Sequence, residues 1–300
     1  MNWRSMTTPS CLISLLFILV ASSSGASEIP RIVAIGDLHG DLDATRRALR
    51  LGGAIDHDDN WIGGQLIVVQ TGDQLDRGDD EQEILDLFEE LRIQARQAGG
   101  AFHALLGNHE IMNAKGDFRY VTEGGFKDFE DAVHQDSADS SLARYPQLER
   151  ARRAAFLPGR PYALLLAERI VILQLGDNVF VHGGVLPQHV DYGIDRINAG
   201  TQAWMRGEAE RPEILEGSDS PQWTRLYSDE PDSSACAVLG GVLKQLGAKR
   251  IIMGHSVQEL GIDPACDSLA WRIDVGLAAH YGGDMQVLEI IGDEIRVLKE

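Results

Sequence analysis

The feature that most limits the fold recurs along the first third of the chain: a short apolar run stops at a glycine, polar side chains follow, and a helical pattern takes over. Arg31–Ile35 ends in Gly36-Asp37, and Asp41 to Leu51 then carries Leu42 and Leu49 at helical spacing. Gln65 to Gln70 ends in Thr71-Gly72-Asp73, and Glu81 to Ala98 sets Ile84, Leu85, Phe88, Leu91 and Ala95 on one helical face. A third run, Ala101 to Leu106, reaches Gly107-Asn108-His109-Glu110. Strands alternating with helices predict α/β layers. In such sheets functional side chains gather beyond the carboxyl ends of the strands, where these polar residues lie.

From Ile111 to Arg160 no strand pattern is visible, and the mixed polar, helical sequence reads as an insertion over the site or a helical subdomain. Strands are expected again at Tyr162 to Ala167, Ile170 to Leu175 and Val179 to His182, the last followed by Gly183-Gly184. Asp191 to Glu230 is irregular and helical, Lys249 to Met253 leads into Gly254-His255-Ser256, and Trp271 to Val275 reads as a further strand. Met285 to Ile290 and Glu294 to Leu298, around Gly292-Asp293, predict a closing hairpin. No repeat or linker divides the chain, so residues 27–300 are expected to form one unit with 111–160 inserted. Residues 1–26 read as a signal peptide, with Arg4, an apolar run from Cys11 to Val20 broken by Ser14, and small residues at Ser24-Gly25-Ala26. The run is shorter than the roughly 20 residues that span a bilayer. The expectation is therefore an exported protein, periplasmic or secreted, with no stable membrane insertion after cleavage. Cleavage leaves Cys236 and Cys266, whose spacing is open to a bridge or to two buried thiols. With 27 Lys+Arg against 46 Asp+Glu the formal charge is -19, which disfavours a nucleic-acid partner because such binding needs clustered cations.

The strand ends together present Asp37, His39, Asp73, Asn108, His109, His182 and His255, read as the ends of five neighbouring strands. Oxygen and nitrogen donors without cysteine suit divalent first-row metals and argue against a structural zinc site. The inventory matches two ions sharing one carboxylate, roughly 3.5–4 Å apart, acting together on a phosphoryl group. His57, His103, His134, His189 and His280 match no motif and are expected to be structural or solvent-facing. Asp56 to Asp59 lacks the glycine and distal glutamate of a calcium loop and reads as a solvated turn.

Gly36-Asp37-Leu38-His39-Gly40, the run Gly72 to Gly78, Gly107 to Glu110, His182-Gly183-Gly184 and Gly254-His255-Ser256 resemble the ordered signature of the phosphoprotein phosphatase family of metallophosphoesterases, from about Arg31 to the C-terminus. Gly72 to Arg77, Met112 to Val121 and Trp223 to Ser228 resemble more narrowly the Shewanella-like protein phosphatases. The resemblance implies a calcineurin-like metallophosphoesterase β-sandwich flanked by helices. It implies that Asp37, His39 and Asp73 hold one metal and Asp73, Asn108, His182 and His255 the other, with manganese favoured over iron or zinc. It also implies that His109 protonates the leaving oxygen, that Asp76 orients it, and that Arg77, Arg225 and Asn108 meet the phosphate. Ser256 departs from the family's threonine. Hydrolysis by metal-bound hydroxide without a phosphoenzyme is the expected chemistry, on phosphorylated proteins or peptides. Phe118, Arg119 and Tyr120, with Tyr281, are candidates for a wall that favours phosphotyrosine. The alternative packs Phe118 and Tyr120 into the insertion and pairs Arg119 with a carboxylate. Other readings left open are a dinucleoside polyphosphate hydrolase, a serine/threonine-directed phosphatase and a non-catalytic phosphopeptide-binding module.

Overall fold

Two five-stranded sheets carry the chain, and a computed structural model describes residues 30–130 and 140–300 of it. The signal-peptide segment 1–26 and His134 lie outside the described residues. In the first sheet β1 (Arg31–Ile35) pairs in parallel with β2 (Ile67–Gln70), and β2 with β3 (Ala101–Ala104). Helices α1 (Leu42–Leu51) and α2 (Glu81–Gln97) make the crossovers. Then follow α3 (Asn108–Lys115), α4 (Glu123–Asp128), α5 (Gln147–Phe156) and α6 (Pro161–Leu166), with no strand among the described residues of 111–160.

The second sheet is built from β4 (Ile172–Leu175) and β5 (Asn178–Val181), and, after α7 (Pro187–Tyr192), α8 (Ile194–Met205) and α9 (Ser233–Leu246), from β6 (Arg250–Met253), β7 (Asp263–Ala265) and β8 (Ala270–Arg272). Its order is β4-β5-β6-β8-β7, with β5, β6 and β8 parallel. The chain then returns to the first sheet as the hairpin β9 (Gln286–Ile291) and β10 (Glu294–Lys299), with β9 antiparallel to β1.

Strand alternation makes the sandwich. Phe180 and Ile252 belong to the core that holds Ile32, Ala34 and Val69 of the first sheet, whereas Val179, Val181, Ile251 and Met253 face Leu239, Val242 and Leu243 of α9. Strands buried on both faces read as unbroken apolar runs, which is why β1, β5 and β6 are visible in the sequence.

Three expectations change. Tyr162 to Ala167 forms helix α6 and not a strand: Pro161 sits at its first turn, and the Ala-Leu-Leu-Leu stretch favours helix once it packs against α5 and α8. Trp271 to Val275 forms ladder pairs only over Ala270–Arg272, after which Ile273 still donates to the Met253 carbonyl (2.9 Å) and Asp274 and Val275 follow as buried loop. The five strand ends do not form one row; β1, β2 and β3 belong to one sheet, β5 and β6 to the other. The open cysteine question closes as a disulfide between Cys236 and Cys266, Cα atoms 5.1 Å apart.

Candidate metal centre and active site

The carboxyl ends of β1, β2 and β3 meet those of β5 and β6 at the seam between the sheets. Backbone contacts bind the loops together: Leu38 and His39 donate to the Asp73 carbonyl (both 3.0 Å), and Gly254 to the His182 carbonyl (2.9 Å). Two glycines allow the approach. A Cβ on Gly107 would lie 2.1 Å from Asp73 Oδ1, and one on Gly254 2.3 Å from Asp37 Oδ1. Glu110 completes the frame from the third position of α3. Its buried carboxylate accepts from the backbone N–H of Asp73 (2.9 Å), Gln74 (2.9 Å) and Gly107 (2.7 Å), tying the β2 loop to the β3 loop.

All six expected metal-binding residues converge here and are buried. His182 Nδ1–H donates to the Thr71 carbonyl (3.1 Å), which turns Nε2 inward. That nitrogen lies 2.9 Å from Asn108 Oδ1, 3.1 Å from His255 Nδ1 and 3.2 Å from Asp73 Oδ2. Four electron-rich atoms converging at this spacing, with His255 presenting Nδ1 to the group, are what a cation satisfies. On the other side of Asp73, His39 Nδ1–H donates to the Leu75 carbonyl (3.1 Å), and Nε2 stands 3.8 Å from Asp73 Oδ2 and 3.9 Å from Asp37 Oδ2. His109 Nε2 is equally near Asp73 Oδ2, at 3.7 Å, so His39, Asp73 and His109 also form a donor group by distance.

Electrostatics separates the histidines. Burial, aided by the His109 charge, pushes His39 down to about 3, and burial with His182 and Arg225 pushes His255 down to about 2. Both keep neutral rings with free lone pairs, the form that ligates metal. Burial works against the His109 charge too, but Asp73 and the hydrogen-bonded Asp76 outweigh it and raise its pKa. His109 Nδ1 is 2.6 Å from Asp76 Oδ2. Burial would raise Asp73 as well, yet His182 and His109 hold it well below the carboxylate range. Asp37 is pushed up by burial and by the charges of Asp274 and Asp73.

The cationic wall is only partly the expected one. Arg77 lies between the rings of Tyr120 (4.6 Å) and Tyr281 (5.4 Å), its Nε buried without a partner, and its Nη1 lies 3.1 Å from His280 Nε2. Arg225 donates to the His255 carbonyl (2.9 Å) and to Ser256 Oγ (2.7 Å) and lines the same pocket. Tyr120 stacks beside His109, ring centroids 5.2 Å apart. Arg119 departs from expectation: it pairs with Asp117 through both Nε (2.9 Å) and Nη2 (2.6 Å) and points to solvent. Phe118 is buried against Phe126 and Arg153 within the insertion. His280 is solvent-facing, as expected, and also touches Arg77. Trp223, edge-on to His255, and buried Asp274 also line the pocket and carried no individual signal in the sequence.

Comparison with known proteins places these observations among relatives. Residues 30–259 match the family model of calcineurin-like phosphoesterases. Shewanella-like protein phosphatase 2 of Arabidopsis thaliana is 39% identical over 295 residues, covering 88% of this chain and 75% of its own. A solved cold-active protein tyrosine phosphatase superposes with a TM-score of 0.73 at 26% identity, over 90% of this chain and 76% of its own. Another structure, a cold-active protein-tyrosine phosphatase of a psychrophilic Shewanella species, gives a TM-score of 0.67 at 25% identity, over 90% and 81% of the two chains.

Proposed function

The chain belongs to the calcineurin-like phosphoesterase family and is a hydrolase of phosphate esters, and on that premise we propose that it dephosphorylates phosphoproteins with a preference for phosphotyrosine. The observation that carries the reading is the side-by-side placement of a buried donor cluster around Asp73, the His109–Asp76 pair and the arginines Arg77 and Arg225. The donor set fits divalent metals: Asp37, His39 and Asp73 would hold one ion, and Asp73, Asn108, His182 and His255 a second. A divalent pair bound there supplies Lewis acidity toward the phosphoryl oxygens and acidifies water. The mixed oxygen and imidazole donors accept manganese, iron or zinc, and manganese is the first ion to use in reconstitution.

The remaining chemistry is the chain's own. Arg77 and Arg225 offer guanidinium N–H groups to phosphate oxygens, which offsets the repulsion of a chain of charge -19. His109, whose pKa its carboxylate neighbours Asp73 and Asp76 raise against burial, gives its Nε2 proton to the leaving oxygen, while Asp76 holds Nδ1. Tyr120 and Tyr281 flank Arg77, so an aryl phosphate could stack where a shorter phosphoserine has no ring to offer. The cold-active protein tyrosine phosphatase supports the same preference.

The N-terminal apolar run supports export, so the form to assay begins near Ser27. Manganese-loaded mature protein should show a higher kcat/KM on phosphotyrosine peptides than on phosphoserine or phosphothreonine peptides. A phosphothreonine preference, or faster turnover of diadenosine tetraphosphate than of any phosphopeptide, would overturn the substrate assignment. Asp73→Asn should lose more metal and more activity than His39→Ala; normal metal content in Asp73→Asn defeats its bridging role.

A further inference from the structure

The His109–Asp76 pair is the end of a chain of buried polar contacts that starts in the helical insertion. Arg152, on α5, is fully buried, and its guanidinium makes five hydrogen bonds, as many as it has N–H groups. Nε donates to Asn113 Oδ1 (2.7 Å), and Nη2 to Asp76 Oδ1 (3.1 Å) and Glu81 Oε1 (3.0 Å). Nη1 donates to the Gly125 carbonyl (2.8 Å) and to Glu81 Oε2. Asn113 in turn donates to Asp76 Oδ1 (2.9 Å) and to the His109 carbonyl (2.9 Å). Asp76 Oδ1 is thus held from two sides, and Oδ2 is left to face His109.

We infer that Arg152 is a positioning residue of the hydrolytic site, fixing the Asp76 carboxylate and through it the ring orientation of His109. The inference rests on the reading of His109 as the proton donor. Two buried carboxylates, Asp76 and Glu81, share this region, and only a cation between them lets both stay oriented. Burial pushes the Glu81 carboxyl up, and the Arg152 guanidinium acts against that rise. Lysine cannot substitute: three tetrahedral donors do not reproduce a planar fork that spans two carboxylates, an amide and a carbonyl. The insertion therefore supplies more than a wall; α5 completes the proton-donating apparatus from beneath.

The test is leaving-group dependence, which a general loss of structure does not alter. Manganese-loaded Arg152→Met and Arg152→Lys are compared with wild type on a phosphotyrosine peptide and on 2,4-dinitrophenyl phosphate, whose leaving group needs no proton. The expected result is a loss of about 10–100-fold on the peptide for both variants and a loss of at most a few-fold on the activated ester. In an Asp76→Asn background the same substitutions should add nothing to that difference, because both act through one ring. Asn113→Ala, which removes one support of Asp76 and leaves the ion pairs, should show the same selectivity at smaller size and serves if the Arg152 variants do not fold. Equal losses on both esters, or an additive effect in the Asp76→Asn background, would overturn the role of Arg152. A wild-type protein that turns over neither ester would instead defeat the phosphatase reading beneath it.

Discussion

Five polar residues of the site hold a backbone conformation that side chains seldom adopt: His39, Asp73, Asp76, Arg77 and His255 have φ between 46° and 70°. Aspartate and histidine enter this left-handed region more readily than most residues, whereas arginine does so at a cost. Each such residue stores on the order of 1–3 kcal/mol, which the surrounding frame, Glu110 among it, must offset. His109 lies in helical backbone at the start of α3, so its role can be tested without releasing that strain. His109→Asn should keep bound metal yet lower kcat by on the order of 10²–10⁴-fold for poor leaving groups, with a smaller loss for an activated ester. Equal losses would assign His109 another role, including that of a third donor beside His39. At this scale the sequence was legible where a side chain follows a strand: Asp37, Asp73, Asn108, His182 and His255 announce themselves by position. Arg152 does not. It stands among Arg150 and Arg153 in a polar helix, and its partners Asp76 and Glu81 are more than 70 residues away. Arg119 misled for the opposite reason, since closeness in sequence to His109 did not bring it into the pocket.

Among the elements, α7 contains a buried titrating group that is not one of the six donor residues. His189 Nδ1 accepts from the Leu186 N–H (3.0 Å) and its Nε2–H donates to the Asp219 carbonyl (2.9 Å). Burial lowers its pKa to about 4. The folded state therefore excludes a proton that the unfolded chain accepts below its ordinary 6.5. The resulting stability is fully present above pH 6.5 and is lost as pH falls toward 4, with an upper size of roughly 3 kcal/mol. His189→Asn keeps an acceptor for Leu186 and removes the titration, so its urea-unfolding free energy should fall less than that of wild type between pH 7 and pH 4. Parallel curves would show that His189 titrates normally. Element type was readable wherever period and length agreed, as in α2 and the β9–β10 hairpin. It failed for α6, where a six-residue apolar stretch fits either structure and packing decides. It also failed for β7, a three-residue edge strand containing Pro264.

Across the whole molecule, the disulfide fastens α9 to the turn after β7, closing a loop of 30 residues. Loop closure of that length corresponds to about 3–4 kcal/mol in the chain-entropy account. The double variant Cys236→Ala/Cys266→Ala should lose about that much urea-unfolding free energy, and an unchanged midpoint would contradict it. The α/β class was visible in the alternation of strands and helices, but the division into a two-sheet sandwich was visible only through the family resemblance, because parallel strand ends look alike whichever sheet they join. That division has a consequence for assembly. Asp37, His39, Asp73 and Asn108 come from the first sheet, His182 and His255 from the second, so neither half alone presents the full donor set. The set Asp37, His39 and Asp73 lies wholly in the first sheet, but an ion held by Asp73, Asn108, His182 and His255 would span the seam as a rivet, and its capture would require both halves to have docked in register. Chelation should accordingly lower the melting temperature and speed amide exchange at Gly72 and Gly183, on opposite banks of the seam. At an ion concentration 100 times Kd the rivet is worth about 2.7 kcal/mol, so heat resistance should track metal supply. A chain that meets its metal late would stay longest with its two halves ajar, and protease should find it there first.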